Sequence, residues 1–232
     1  LKEFHGGTVT VLSMGPPQAE ATLREAISVG ADEAVLVSDR AFAGADTWAT
    51  TYTLARAIAT IGGCDLVLCG KQAIDGDTAQ VGPGIAKRMG LQLLTYVSRI
   101  VEVDEEARTI TVERRAEGGV QVLKTALPCL ITMLENTNEM RFANLPAMIH
   151  AAAYPVRKWN KEQAGIEDLE KIGLKGSPTV VSKVFGPTPR TEKVEILDLE
   201  TSTLRDVSLN LLQKVFTRHP TLESDLLMKE MS

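Results

Sequence analysis

The sequence predicts an α/β protein in which a parallel sheet is covered by helices, with antiparallel strands added and an extended C-terminal arm. Three observations carry this. Short apolar strands alternate with amphipathic helical stretches through the first 90 residues, the order that βαβ units produce. Runs such as Leu66-Val67-Leu68 are continuously apolar, which suits strands buried on both faces of a sheet. After Gly90 the pattern turns β-rich around an Asp104-Glu105-Glu106 turn, and after Tyr154 periodicity fades.

Taken in order, Leu1 to Gly7 reads as the tail of a helix ending at Gly6, so the chain is expected to begin inside a fold. Residues 8–13 form the first strand, Met14-Gly15-Pro16-Pro17 a turn, and Ala19, Leu23, Ala26 and Ile27 mark the apolar face of a helix closed by Gly30. Glu33 to Val37 is a second strand. Asp46 caps a helix with Trp48, Tyr52, Ala55 and Ala59 on one face, closed by Gly62-Gly63. A third strand runs from Asp65 to Cys69, then a loop from Gly70 to Asp77 and a helix from about Thr78 to Met89. Residues 94–103 and 108–114 pair as antiparallel strands, Val120 to Thr125 adds another, and Pro128 to Met133 is a buried strand. These elements define a first domain over 1–153. Residues 154–232 form the arm, because a long stretch without periodicity rarely sits inside a compact domain. The arm ends in an amphipathic helix over 203–217 through Leu204, Val207, Leu211 and Val215.

Composition narrows the function. Hydrophobic residues are 44% of the chain but aromatics only 4%, so the core is aliphatic and no stacking platform for single-stranded nucleic acid is expected. The net charge of −5 repels phosphodiester backbones, so nucleic acid is not an expected partner. No apolar run reaches the ~20 residues that span a bilayer. Cys64, Cys69 and Cys129 lie in or beside apolar runs and read as buried thiols rather than a disulfide framework, which fits a reducing compartment, the cytoplasm. His5, His150 and His219 are too scattered for a local metal site.

The segment that carries chemistry is Gly70 to Pro83, between a strand and a helix. Ligands of open parallel sheets bind at the carboxyl ends of strands, and a helix N-terminus suits a phosphate. Gly70 and Gly76 allow close backbone approach, Gln80 offers an amide, and Asp75 and Asp77 cap or orient the loop. An ordinary βα loop with aspartate caps is the alternative, since neither common phosphate-binding fingerprint is present. Lys71 pairs with a phosphate, or is a solvated lysine.

This segment resembles the nucleotide-binding loop of electron transfer flavoprotein β subunits. Val112-Glu-Arg114, Glu117-Gly-Gly, Gln121-x-Leu123 and Pro128-Cys-Leu-Ile-Thr132 resemble the β-subunit signature, and Asn138-Glu-Met-Arg141 through Leu145-Pro146 resembles the loop that docks partner dehydrogenases. The resemblance spans essentially the whole chain. It implies a Rossmann-like sandwich of the adenine nucleotide alpha hydrolase-like type, whose first strand is missing here, with an arm wrapped on an α subunit. It implies no catalytic side chain. The implied cofactor-binding residues are Met14, Gly70, Lys71, Gln72, Ala73, Ile74, Asp75, Gly76, Asp77, Thr78, Ala79, Gln80 and Val81, and the implied docking residues Arg141, Leu145 and Pro146, Leu145 having a core leucine as its alternative.

The run Asp77-Thr-Ala-Gln-Val-Gly-Pro83 looks like that of electron-bifurcating members, where small Ala79 leaves room for a diphosphate. FAD is therefore expected, with structural AMP as the alternative. The implied function is passage of electrons from NADH to the α-subunit flavin and a partner dehydrogenase acting on acyl-CoA, enoyl-CoA or a 2-hydroxy acid, with ferredoxin as second acceptor. Met140 departs from the family's proline in the docking loop. A stand-alone nucleotide-binding protein of related fold is the rival reading, and the long arm argues against it.

Overall fold

In the computed structural model, described over residues 1–189, 191, 196–197 and 203–222, the chain divides into two units, 1–182 and 183–232. The first unit is built on two sheets, and the apolar runs explain both.

Strands β1 (Thr10–Met14), β2 (Glu33–Val37) and β8 (Arg157–Trp159) form a parallel sheet with β2 in the centre. The unbroken apolar run of β2 is buried on both faces, as a central parallel strand requires. Ala34 and Leu36 pack with Leu23 and Ile27 of helix α2 (Glu20–Ser28) and with Ala151 of helix α5 (Leu145–Ala153). Val35 and Val37 face the other way, onto Phe42, Ala57, Ala164 and Ile172. Ala57 lies on helix α3 (Thr47–Ile61). Gly6 ends a short first helix, α1 (Lys2–His5).

The second sheet has the order β3-β7-β4-β5-β6. Strands β3 (Leu66–Gly70), β7 (Cys129–Met133) and the start of β4 (Gln92–Asp104) run parallel; β4, β5 (Thr109–Ala116) and β6 (Gly119–Ala126) run antiparallel. The switch falls at a register shift between Leu94 and Val97, where Tyr96 takes a positive φ of 57°. That bulge turns β4 from one partner to the other. The Tyr96 N–H is caught there by the buried Thr132 hydroxyl at 3.3 Å.

Helix α4 (Val81–Met89) lies against this sheet and against α3. Two glycines allow the close approach. A Cβ on Gly82 would fall 2.5 Å from the Thr132 methyl, and one on Gly84 would fall 2.5 Å from that of Thr51. α4 starts at Val81, three residues later than the pattern predicts, because Asp77 and Ala79 take positive φ angles that a helix does not admit.

The expected apolar face of α3 is corrected. Ala55 is buried and Tyr52 half-buried as expected, but Trp48 is 58% exposed and Ala59 is exposed, and the buried stripe takes in Ala49, Thr51, Thr53 and Ala57 instead. α3 packs against two neighbours, so its buried stripe is wide and made of small residues.

The first unit continues past residue 153, where fading periodicity placed the start of an arm. Arg157–Trp159 joins the first sheet, and residues 160–182 lie on the loop after β2 and on α3. Asn160 to Gly176 is a series of turns and a 3₁₀ segment at Leu169–Lys171, which explains the missing period. In the second unit, helix α6 (Leu204–Arg218) is capped by the Thr203 hydroxyl, which accepts the Asp206 N–H at 3.3 Å. Residues 190, 192–195, 198–202 and 223–232 of the expected arm lie outside the described residues.

Candidate functional site

Two loops meet beside the N-terminus of α3. One is the sequence-predicted segment 70–81. It leaves β3 at Gly70, and the Lys71 N–H donates to the Met133 carbonyl at 2.8 Å, continuing the β3–β7 ladder by one residue. It then closes on itself. The Gln72 amide bonds the Asp77 carboxylate, the Asp77 N–H donates to the Ala73 carbonyl at 2.9 Å, and Asp75 accepts the Gly76 N–H at 2.8 Å. Its outer residues, Gln72 to Thr78, are exposed, and Ile74 is fully so. No atom lies within 4 Å of where a Cβ on Gly70 or Gly76 would sit, so both backbones are open to close approach.

Gln80 at the end of this loop accepts a hydrogen bond from the Thr47 hydroxyl at 2.6 Å. That bond ties the loop to the first turn of α3. Asp46 caps that turn, accepting from the Trp48 and Ala49 N–H groups at 2.9 and 3.1 Å. The cap predicted from sequence is therefore present, and Val81 opens α4 beside it.

The second loop, residues 38–46, went unread in the sequence apart from the Asp46 cap. With Met14 to Pro17 at the end of β1 it lines a cavity of about 790 Å³. The cavity lies at the carboxyl ends of β1 and β2, as expected for ligands of open parallel sheets. Met14 belongs to it, so the structure joins one predicted residue to a wall the local pattern did not reveal. The signal lay far along the chain. Gly173 has φ of 55° and packs its Cα against the Ala41 carbonyl so closely that a Cβ there would collide with it. The Leu174 N–H donates to the Ala43 carbonyl at 3.0 Å. The Ser177 hydroxyl accepts the Asp46 N–H at 2.8 Å and lies 2.7 Å from the Gly173 carbonyl, while the Thr179 N–H and hydroxyl donate to Asp46 at 3.0 and 2.8 Å.

Partial burial would raise the Asp46 carboxyl, but the Ala49, Thr179 and Trp48 donors outweigh it and hold the group below the usual carboxylate range. Asp39 is also held low, first by the Ala41 N–H.

The predicted docking residues lie apart from this cleft in their linings. Arg141 pairs with Glu3 at 2.7 Å. Leu145, the first residue of α5, is 69% exposed and so is not a core leucine here; Pro146 and Phe142 are exposed too. Asn144 caps the helix through the Ala147 N–H at 2.9 Å. The cysteines are free thiols; Cys129 is buried and its pKa is raised by that burial to about 11, whereas Cys64 and Cys69 are half-buried rather than fully enclosed. Among the described residues there is no group of three potential metal ligands, and no helix long and apolar enough to cross a membrane.

The parallel strands and the helices that cover them define an α/β subunit of Rossmann-like type, with a cavity at the carboxyl ends of β1 and β2. Comparison with known proteins specifies it. The profile of the electron transfer flavoprotein domain matches residues 1–164, and the chain belongs to that family as a β-type subunit. It is 58% identical to Protein FixA of Azotobacter vinelandii over 229 residues, covering 97% of this chain and 82% of that protein. It is 43% identical over 220 residues to the caffeyl-CoA reductase-Etf complex subunit CarD of Acetobacterium woodii, covering 94% and 81%. It is 42% identical over 226 residues to the electron transfer flavoprotein subunit beta of Thermoanaerobacterium thermosaccharolyticum, covering 94% and 81%.

Proposed function

We propose that this chain is the FAD-binding β subunit of an electron-bifurcating electron transfer flavoprotein. The observation that carries the reading is the cavity of about 790 Å³ at the ends of β1 and β2. It lies toward the upper end of the roughly 300–1,000 Å³ range of ligand pockets, which suits a dinucleotide-sized cofactor better than AMP. The open backbones at Gly70 and Gly76 and the small side chain of Ala79 leave room on the loop that Gln80 ties to Thr47.

When bound, FAD supplies acceptance of a hydride from NADH and donation of single electrons, the chemistry that belongs to the cofactor. The residues of this chain bind and orient. Met14 and the loop 38–46 wall the cavity, Gly70 and Gly76 admit a ligand to the backbone, and the Thr47–Gln80 bond holds the second loop against the first. In that assembly the α-subunit flavin, with a dehydrogenase of the acyl-CoA, enoyl-CoA or 2-hydroxy acid class beyond it, would be one acceptor. Ferredoxin would be the other acceptor. Two relatives are named as a β subunit and as a subunit of a reductase-Etf complex, which supports an α-subunit partner and assembly with an oxidoreductase. Arg141, exposed Leu145 and Pro146 form the dehydrogenase-docking edge, and the arm lies on the α subunit. The free thiols suit the cytoplasm.

The test is cofactor stoichiometry. The full-length protein is co-expressed with its α subunit, the complex is denatured, and FAD and AMP are separated by chromatography. Two FAD per heterodimer and no AMP is the expected result. One FAD and one AMP would make this a subunit with a structural nucleotide and sink the bifurcation reading.

A further inference from the structure

The loop that the sequence makes conspicuous is short of positive charge. Loop 70–81 carries one cation, Lys71, against Asp75 and Asp77, and the Lys71 Nζ lies 5.9 Å from the Tyr96 ring centroid. A phosphate-bearing ligand needs charge-assisted donors. The loop that lines the cavity offers one.

Arg40 borders both the 790 Å³ cavity and a smaller one of about 330 Å³ behind it, so it stands in the wall between the two. The carboxylate next to it is already engaged. Asp39 accepts the Ala41 N–H at 2.9 Å and the Lys161 N–H at 3.2 Å, with the Lys161 ammonium at 3.8 Å. The other cations of this wall are paired as well, Lys161 with Glu162 at 3.3 Å and Lys175 with Glu170. Arg40 has no ion pair or hydrogen-bond partner for its guanidinium among the described residues. Its backbone is fixed all the same. The Asp39 side chain caps the 3₁₀ turn Arg40–Phe42, the adjoining Phe42 is buried, and Gly173 backs Ala41. An exposed, unpaired guanidinium on an anchored turn at a cavity wall is a pre-positioned planar fork for phosphate oxygens.

We propose that Arg40 is the side chain that recognises the phosphate of the bound nucleotide. This rests on the reading of the larger cavity as the nucleotide site. Arg40 supplies the positive charge that loop 70–81 lacks, and that loop contributes backbone and shape. The class of ligand is a nucleoside phosphate, two of whose oxygens take the guanidinium's two parallel donors.

The test uses the full-length protein in the complex from which it is purified, stripped of bound nucleotide and titrated by calorimetry with ADP and with adenosine. Arg40→Gln is expected to weaken ADP binding roughly 10- to 100-fold, the effect of removing a charge-assisted hydrogen bond, and to leave adenosine binding unchanged. Arg40→Lys, which keeps the charge without the fork, is expected to fall between. The salt dependence of ADP binding becomes shallower in Arg40→Gln. Equal losses for ADP and adenosine, or ADP binding indifferent to Arg40→Gln, would overturn the assignment while leaving the cavity a nucleotide site. A wild-type protein that binds neither probe would overturn both readings.

Discussion

The two loops that meet beside α3 are built in opposite ways. Loop 70–81 is stabilised by its own residues, Gln72 with Asp77, Asp75 with Gly76, and it stands exposed. Loop 38–46 is held by chain more than 120 residues away, through Gly173, Leu174, Ser177 and Thr179. A self-contained loop can shift around a ligand without disturbing the fold, because few tertiary contacts oppose it. A loop fixed from behind makes a wall. The braced loop lines the cavity, the self-contained loop stands outside its lining and is tied to it through Thr47 and Gln80, and the substitutions below separate the two.

The largest effect is expected from Gly173→Ala. The new methyl would collide with the Ala41 carbonyl at a positive φ that disfavours any L side chain. Overpacking and left-handed backbone together cost about 3 kcal/mol, read as a lowered midpoint in urea unfolding. An unchanged midpoint would mean that residues 173–179 do not brace the cavity wall. Gly84→Ala follows. Its Cβ would fall 2.5 Å from the Thr51 methyl, where a side chain can yield, so a loss of about 1–2 kcal/mol is expected. The urea midpoint reads this too, and a loss as large as that of Gly173→Ala would show the α3–α4 contact to be as unyielding as the cavity wall.

How much of this was legible follows from the range of each interaction. The strand at Glu33–Val37, the Asp46 cap and the helix at 204–218 were readable because periodicity and capping act over a few residues. Loop 70–81 was legible through its glycines and its place after a strand. Arg40, Phe42 and Gly44 gave no local signal as a site, because their role depends on Gly173 to Thr179 folding back onto them. The same cause hid the membership of residues 154–182 in the first unit. Their turns have no period, and the three-residue strand Arg157–Trp159 is recognisable only once β2 is beside it. Trp48 was misplaced for a different reason. Helical spacing alone does not say which stripe faces inward when a helix packs between two neighbours.

Asp46 lies where the two loops meet and is expected to have an intermediate effect. Asp46→Ala removes the α3 cap and the bonds from Thr179, a loss of about 1–2 kcal/mol by thermal unfolding. Its pH dependence has a definite sign. The Asp46 pKa is lowered in the folded protein, so its contribution is fully present above the unfolded-state value, about 3.9, and is lost as pH falls through the lower folded value. The acid limb of the stability curve should therefore be shallower in Asp46→Asn than in wild type. Identical acid limbs would show that this carboxylate does not hold the junction.

The smallest effect on stability is expected where the sequence drew most attention. Gly76→Ala places a methyl where no atom lies within 4 Å, and its φ is not in the left-handed region, so the change should stay within about 0.5 kcal/mol. The same methyl would stand between the loop backbone and a ligand that approaches it. If loop 70–81 adapts around the ligand, Gly76→Ala unfolds like wild type yet binds ADP more weakly, by about tenfold or a little more, for a contact worth about 1.5 kcal/mol. Unfolding and calorimetry on the same preparation separate the outcomes. A stable variant with unchanged ADP affinity would place the ligand against the wall of loop 38–46 alone. Lost stability would mean that the loop is as fixed as its neighbour, and the contrast between the two would fail.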